Sequence, residues 1–123
     1  MAETVLVCVT GQRSGAQLIH KGAELAREHA AQLLVLSVSG SGLNTLTNPS
    51  VVRSLDELYR LSGEVGAEMT MLHASDAHKA ICDFVRQRGV TRMVLGQTAQ
   101  SGSAFAAHLM RSLPGVSFII ELT

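Results

Sequence analysis

The sequence predicts an α/β fold in which helices cover both faces of a parallel sheet. Five short apolar runs alternate with four segments of helical periodicity along the chain. Most of the runs are continuous rather than alternating, which is typical of strands buried on both faces. Strand, helix and strand in repeated succession favour parallel pairing through right-handed crossovers. The predicted strands are residues 5–9, 33–38, 67–72, 92–95 and 116–120.

The first two helices are predicted from apolar stripes and from residues that begin helices. Ser14 and Gln17 form a capping box, and small and aliphatic residues follow at helical spacing. Asn48 before Pro49 predicts the start of the second helix, because asparagine is a good N-cap and proline is favoured at the first helical position.

The other two helices are predicted between clear start and stop residues. Ser75 or Asp76 caps the third helix, and Gly89 ends it. The fourth helix ends at Pro114 and Gly115, since proline cannot continue a helix.

Size and composition exclude several classes of protein. All 123 residues, 1–123, are expected to form one domain. The chain is 46% hydrophobic and 16% charged, which excludes intrinsic disorder. Ten basic residues balance ten acidic ones, so the basic excess of nucleic-acid binders is absent. No apolar run is long enough to span a membrane, and we expect a cytoplasmic protein.

Few residues suggest catalysis or metal binding. His73, Asp76 and His78 are close in sequence, but His73 ends a strand and His78 lies in the next helix, so we expect a helix cap and surface imidazoles rather than metal ligands. Cys8 and Cys82 form no CxxC motif and are expected to be reduced, buried thiols. The chain also lacks the GxSxG and HExxH motifs. We therefore predict no catalytic residues, no metal site and no enzyme activity.

Two long connections favour a ligand-binding site. Residues 39–47 (SGSGLNTLT) and 96–102 (GQTAQSG) both follow the carboxyl end of a strand, where open α/β sheets bind ligands. In the second connection, Gly102 permits close approach by a phosphate and Ser103 is a candidate N-cap. Gly11, after the first strand, offers a further backbone N–H group to an anion. The alternative is that these residues only turn the chain and cap the helix.

The chain resembles the universal stress protein family over essentially its whole length. The opening VLVCVTGQRSGAQLIHKGAELAREHAAQLLVLSVS resembles the family's first βαβ unit, above all the version found in Kdp-type osmosensitive potassium sensor kinases. LDELYRLSGEVGAEMTML and KAICDFVRQRGVTRMVLGQ resemble later segments. The resemblance implies a three-layer αβα sandwich of the adenine nucleotide alpha hydrolase-like type. It also implies a five-stranded parallel sheet of order 3-2-1-4-5 and a homodimer.

The chain departs from the motif of the family's ATP-binding members. Those members carry Gly-x2-Gly-x9-Gly-Ser/Thr after the fourth strand. Here Gly96 matches the first glycine, Ala99 stands at the second, and apolar residues stand at the last pair. The family's aspartate at the end of the first strand is replaced by Thr10 or Gly11. The resemblance therefore implies weak rather than tight ATP binding.

A second ligand is implied by the sensor-kinase versions, some of which bind cyclic di-AMP at the same strand ends. A Ser-x-Ser element after the second strand and a tyrosine-ended block on the next helix are associated with that ability. Ser37, Val38 and Ser39 match the first element, and Tyr59 matches the tyrosine of the second.

The leading hypothesis is a non-enzymatic signalling module of stress-protein type that binds ATP, AMP or cyclic di-AMP weakly. Base recognition is assigned to Ser37, Val38 and Ser39, and the pocket floor to Thr10 and Gly11. Phosphate contacts are assigned to Gly96, Gln97, Ser101, Gly102 and Ser103.

Two alternatives stay open. The first is a protein-interaction or dimerisation module without a small-molecule ligand, such as a kinase regulatory domain, and the missing glycines favour it. The second is a nucleotide hydrolase, which the lack of an evident general base or magnesium carboxylate disfavours.

The last strand favours a homodimer. In the family order it lies at the sheet edge, and its apolar residues Val116, Phe118, Ile119 and Ile120 are followed only by Glu121 as a charge that blunts pairing. Two-fold pairing with a second copy would satisfy the free backbone groups. The alternative is that the fourth helix or the C-terminal tail covers this edge.

Overall fold

Strands and helices alternate along the chain in a computed structural model. The structure describes residues 3–9, 15–39, 49–73, 76–97 and 104–122. The predicted strands differ from the observed ones by at most two residues at either end. The elements are β1 (Thr4–Val9), α1 (Gly15–His29), β2 (Gln32–Ser39), α2 (Pro49–Glu64), β3 (Glu68–His73), α3 (Ala77–Arg88), β4 (Arg92–Gln97), α4 (Ala104–Ser112) and β5 (Ser117–Leu122).

The five strands form one parallel sheet of order β3-β2-β1-β4-β5, which confirms the predicted α/β architecture and strand order. The first strand lies at the centre and is buried along its whole length. It pairs with β2 from Thr4 opposite Gln32 to Val9 opposite Ser37. It pairs with β4 on its other side.

The sheet separates two apolar cores, and alternate residues along each strand face one core or the other. Val5, Val7 and Val9 face the first core, whereas Leu6 and Cys8 face the second. The helices contribute to the first core through Leu18, Ile19, Ala23, Ala26 and Leu58, and to the second through Ile81, Cys82, Phe84, Val85, Leu109 and Leu113. Thus α1 and α2 cover one face of the sheet, and α3 and α4 cover the other. Each fully buried aliphatic side chain contributes about 1.5–3 kcal/mol.

Helix α1 approaches the sheet closely at Gly22. A Cβ atom there would overlap Val7 Cγ2 and lie 3.2 Å from Leu33 Cδ1. Gly63 on α2 has a different environment, because a Cβ atom there would meet no atom within 4 Å. The absence of a side chain at Gly22 is therefore a packing requirement, whereas at Gly63 it is not.

Three helices end in the same left-handed turn. Ala30, Gly66 and Gly89 have φ angles of 51°, 75° and 65°. In each case the next backbone N–H donates to the carbonyl five residues earlier, at 2.8 Å for Ala31 to Ala26, 2.8 Å for Ala67 to Ser62 and 3.1 Å for Val90 to Val85. This is the Schellman arrangement. It leads the chain from each helix directly to the amino end of the next strand.

Several predicted helix boundaries are confirmed. Pro49 is the first residue of α2. Of the two candidate caps of α3, Asp76 is the N-cap, and its Oδ1 accepts a hydrogen bond from the Lys79 backbone N–H at 3.1 Å. Gly89 caps the other end. The remaining predicted caps, Ser14, Asn48, Ser75 and Ser103, lie outside the described residues.

Replacing Gly22 by alanine is expected to destabilise the fold, although alanine is the better helix former by about 1 kcal/mol. The new methyl group overlaps Val7 in a packed core, and overpacking typically costs about 1–3 kcal/mol. Gly63→Ala is the matched control, because the same change meets open space and should stabilise by roughly 0.5–1 kcal/mol. Urea unfolding measures both; a Gly22→Ala protein as stable as the unmutated one would contradict the close approach of α1.

Ala30 and Gly89 offer a second matched pair, because both hold the left-handed position after a helix. Ala30→Gly should stabilise the protein by roughly 0.5–1 kcal/mol, since glycine adopts positive φ without steric cost. Gly89→Ala should destabilise it by about 1 kcal/mol for the same reason. Thermal unfolding compares the two variants, and shifts of the same sign would show that backbone strain does not govern these positions.

Candidate functional site

At the carboxyl edge of the sheet, the described part of β1 lies between β2 and β4. It pairs with β2 as far as Val9 opposite Ser37, and with β4 as far as Cys8 opposite Leu95. In this register Gly96 is level with Val9, so β2 is described for two residues beyond β1, to Ser39, and β4 for one, to Gln97. The carboxyl ends of β2 and β4 therefore lie on either side of β1. This is also the point where strand order reverses, and open α/β sheets bind ligands at such a point.

The predicted site residues that the structure describes lie at the carboxyl ends of β2 and β4. Ser37, Val38 and Ser39 stand on one side of the carboxyl end of β1, and Gly96 and Gln97 stand on the other. Two strand spacings separate the groups, which is about 10 Å. Ser37 is buried, with 4% of its surface exposed. The other predicted site residues, Thr10, Gly11, Ser101, Gly102 and Ser103, lie outside the described residues.

One ion pair lies beside this edge. Glu121 on β5 is in register with Gly96, and its Oε1 lies 3.7 Å from Lys21 Nζ on α1. The pair is partly exposed, so it contributes little stability, about 0–1 kcal/mol. Its main effect is to neutralise a carboxylate one strand away from the predicted phosphate contacts. The sequence did not single out Lys21, because nothing local connects it with a strand a hundred residues later.

The cysteines do not have the properties of nucleophiles. Both are free and buried, as predicted. Burial raises the pKa of the Cys8 thiol to about 12. Burial also raises the pKa of the Cys82 thiol, an effect that Arg86 opposes and that Asp83 and Asp76 reinforce. Both thiols therefore stay protonated at neutral pH, and a thiol reacts only as the thiolate.

Among the described residues, no three His, Cys, Asp or Glu side chains are arranged to hold a metal ion. No helix in the described ranges has the length and apolar character needed to cross a membrane.

A cluster of polar side chains lies between α3 and α4. The imidazole rings of His78 and His108 are stacked, with centroids 3.7 Å apart and planes 12° apart. His78 Nε2 lies 3.0 Å from Ser112 Oγ and 3.8 Å from Cys82 Sγ. His78, expected to be a surface imidazole, is instead half-buried. The sequence analysis did not single out His108. A signal was present, because His78 and Cys82 on α3, and His108 and Ser112 on α4, are each four positions apart and so share a helix face.

A groove lies at the opposite, amino edge of the sheet. It has a volume of about 450 Å³ and runs between the carboxyl-terminal halves of α1 and α2. Ala23, Ala26 and Leu33 lie at its buried side, while Arg27 and Glu64 are exposed. The sequence predicted no site here.

Comparison with known proteins links this fold to one family. The chain matches the model of the Universal stress protein family over residues 1–111. It is 30% identical over 100 residues to Sensor protein KdpD of Mycobacterium tuberculosis, strains CDC 1551 and H37Rv, and this match covers 80% of the chain. The chain spans only 11% of the length of that relative.

Two solved structures share the fold at low sequence identity. A universal stress protein in complex with cAMP has a TM-score of 0.73 and 16% identity, with 99% of this chain and 98% of that chain covered. The universal stress protein from Archaeoglobus fulgidus in complex with dAMP has a TM-score of 0.61 and 18% identity, with 98% and 97% covered. The sheet order of the fold and the family match over residues 1–111 agree, and the chain belongs to the universal stress protein family.

Proposed function

We propose that the chain is a non-enzymatic sensor or regulatory module that binds an adenine nucleotide weakly at the carboxyl edge of its sheet, in the cytoplasm. The observation that supports the proposal is that the carboxyl ends of β2 and β4, residues 37–39 and 96–97, lie on either side of β1, where the strand order reverses. Residues 38–39 pair with β3 and residues 96–97 pair with β5, so a ligand would meet their backbone groups only on the side that faces β1.

The ligand class is supported by the neighbours in fold. Two of them were solved with cAMP and with dAMP, which share an adenine base and one phosphate. For this chain, ATP, AMP and cyclic di-AMP are the candidates. The base would be recognised at Ser37, Val38 and Ser39. Because Ser37 is almost fully buried, it would act mainly by shaping the pocket wall and through its backbone.

The other contacts would come from the segments that follow β1 and β4. Thr10 and Gly11 would form the floor of the pocket. Gly96, Gln97, Ser101, Gly102 and Ser103 would bind phosphate through backbone N–H groups and the start of α4. Replacement of the second glycine by Ala99 supports weak rather than tight binding, and the likeness to a sensor kinase supports a role in signalling.

A dimeric interaction module is the second candidate, and the edge strand favours it. The strand β5 pairs with β4 on one side, and no further strand follows it among the described residues. Val116, Phe118, Ile119 and Ile120 are half-buried rather than fully buried. Phe118 and Ile120 pack against the core of α3 and α4, and Ile119 packs against that of α1. A second copy pairing along this edge would complete their burial.

Calorimetry with ATP, AMP, cAMP and cyclic di-AMP tests the nucleotide proposal. At least one should bind with a Kd of roughly 10 μM to 1 mM. Gly96→Val should abolish binding, because a branched side chain blocks close approach to the backbone of this strand end. Arg27→Ala, in the groove at the amino edge, is the matched control and should leave binding unchanged. Circular dichroism checks that both variants fold.

Three results would contradict the nucleotide proposal. If none of the four nucleotides gives a binding heat, the proposed nucleotide binding is wrong. If Arg27→Ala loses nucleotide binding and Gly96→Val keeps it, the nucleotide binds in the groove at the amino edge instead. Release of phosphate from ATP above a control without protein, lost in Gly96→Val, would favour the hydrolase alternative.

Light scattering tests the homodimer. The protein should be a dimer at about 50 μM, and Ile119→Lys should be a monomer, because a charge at the apolar edge opposes strand pairing. Met71→Lys is the matched control: Met71 lies on β3, the opposite edge strand, and is 60% exposed. It should leave the dimer intact. A monomeric unmutated protein, or dissociation by Met71→Lys alone, would show that β5 is not the interface.

A further inference from the structure

The contact between α3 and α4 contains two histidines whose rings are stacked. Their centroids are 3.7 Å apart and the ring planes differ by 12°. The rings come from different helices, thirty residues apart in sequence, so the stack is a tertiary contact. His78 is half-buried and His108 is exposed, so solvent reaches the stack.

The charge on the two rings matters to the stack because an imidazole ring can be neutral or positively charged. Two neutral rings, or one neutral and one protonated ring, can remain stacked. Two protonated rings would place like charges at stacking distance, and their repulsion would weaken the contact.

The Ser112 hydroxyl can hydrogen-bond to His78 whether the ring is neutral or protonated. Ser112 Oγ lies 3.0 Å from His78 Nε2. It can donate to this nitrogen when the nitrogen is unprotonated and accept from it when it is protonated. The Cys82 thiol, 3.8 Å away, is neutral because burial raises its pKa. The response to acid therefore resides in the two rings.

Charged side chains of both signs lie near the stack in sequence. On the same stretches of α3 and α4, three bases outnumber two acids. The Asp76 carboxylate is engaged in capping the Lys79 backbone N–H at 3.1 Å. The charged side chains in question are Asp76, Lys79, Asp83 and Arg86 on α3, and Arg111 on α4.

Helix α4 is the element that a loosened contact would release. Leu109 on α4 and Leu113, which directly follows it, are buried in the second core, against which Phe118 and Ile120 of β5 pack. Movement of α4 would expose these apolar residues. The face of α1 and α2 belongs to a separate core and would be unaffected.

We propose that His78 and His108 form a proton-sensitive contact that holds α4 against α3 at neutral pH and loosens it in acid. The loosening is local: α4 and the adjoining face of β5 open, while the sheet and the opposite helices remain folded. The inference does not depend on nucleotide binding.

Amide hydrogen exchange by NMR at pH 7.5 and pH 5.0, corrected for intrinsic exchange rates, tests this contact. In the unmutated protein, the protection of the Leu109 and Leu113 amides should fall about tenfold more on acidification than that of α1 amides. In His78→Gln, in His108→Gln and in the double variant, this extra loss should be less than twofold, because one or both charges are removed. His20→Gln is the matched control and should behave like the unmutated protein, since His20 is exposed on α1 across the sheet.

His78→Gln and His108→Gln each remove one member of the histidine pair. Either variant alone therefore tests the proposal if the other fails to fold. An extra loss in α4 that persists in the folded variants would overturn the proposal. So would an equal loss in α1 and α4, which would report global rather than local opening, or abolition of the loss by His20→Gln.

Discussion

Burial of β1 on both faces and its pairing on both edges are the constraint on which the rest of the structure depends. All six of its residues are buried, and it is hydrogen-bonded to β2 and β4. A strand in this position requires helices on both sides, and its parallel neighbours require crossovers long enough to contain them. The two cores, the order of the sheet and the close packing of α1 all follow from that requirement.

The two edges of the sheet are built for different purposes. At the amino edge, the Glu3 carboxylate lies 3.4 Å from both His29 Nδ1 and Arg92 Nε. The Thr91 hydroxyl accepts from the Thr4 backbone N–H and donates to the Thr4 carbonyl, both at 3.1 Å. Short Schellman turns enter the strands there. The predicted site residues of β2 and β4 lie at the carboxyl edge, so the proposed ligand site is separate from these contacts.

Much of the fold was predictable because its signals are local. The period of the apolar residues, the cap at Asp76, the stop at Gly89 and the start at Pro49 each depend on a few neighbouring residues. The strand order came from the family resemblance, since parallel pairing has no local signal. The stacking of His108 was not predictable, because it depends on how α4 lies across α3. The pairing of Lys21 with the end of β5 was missed for the same reason.

The close contact of α1 with the central strand makes two positions of the sequence interdependent during evolution. Gly22 has no side chain, and the space that one would need is filled by Val7, with Leu33 beside it. A relative with a larger residue at the position of Gly22 must have a smaller one at the position of Val7. The order of the two changes matters, because gaining volume on the helix first passes through an overpacked intermediate. Losing volume on the strand first passes only through a cavity, which costs about 0.5–1.5 kcal/mol per removed methyl group.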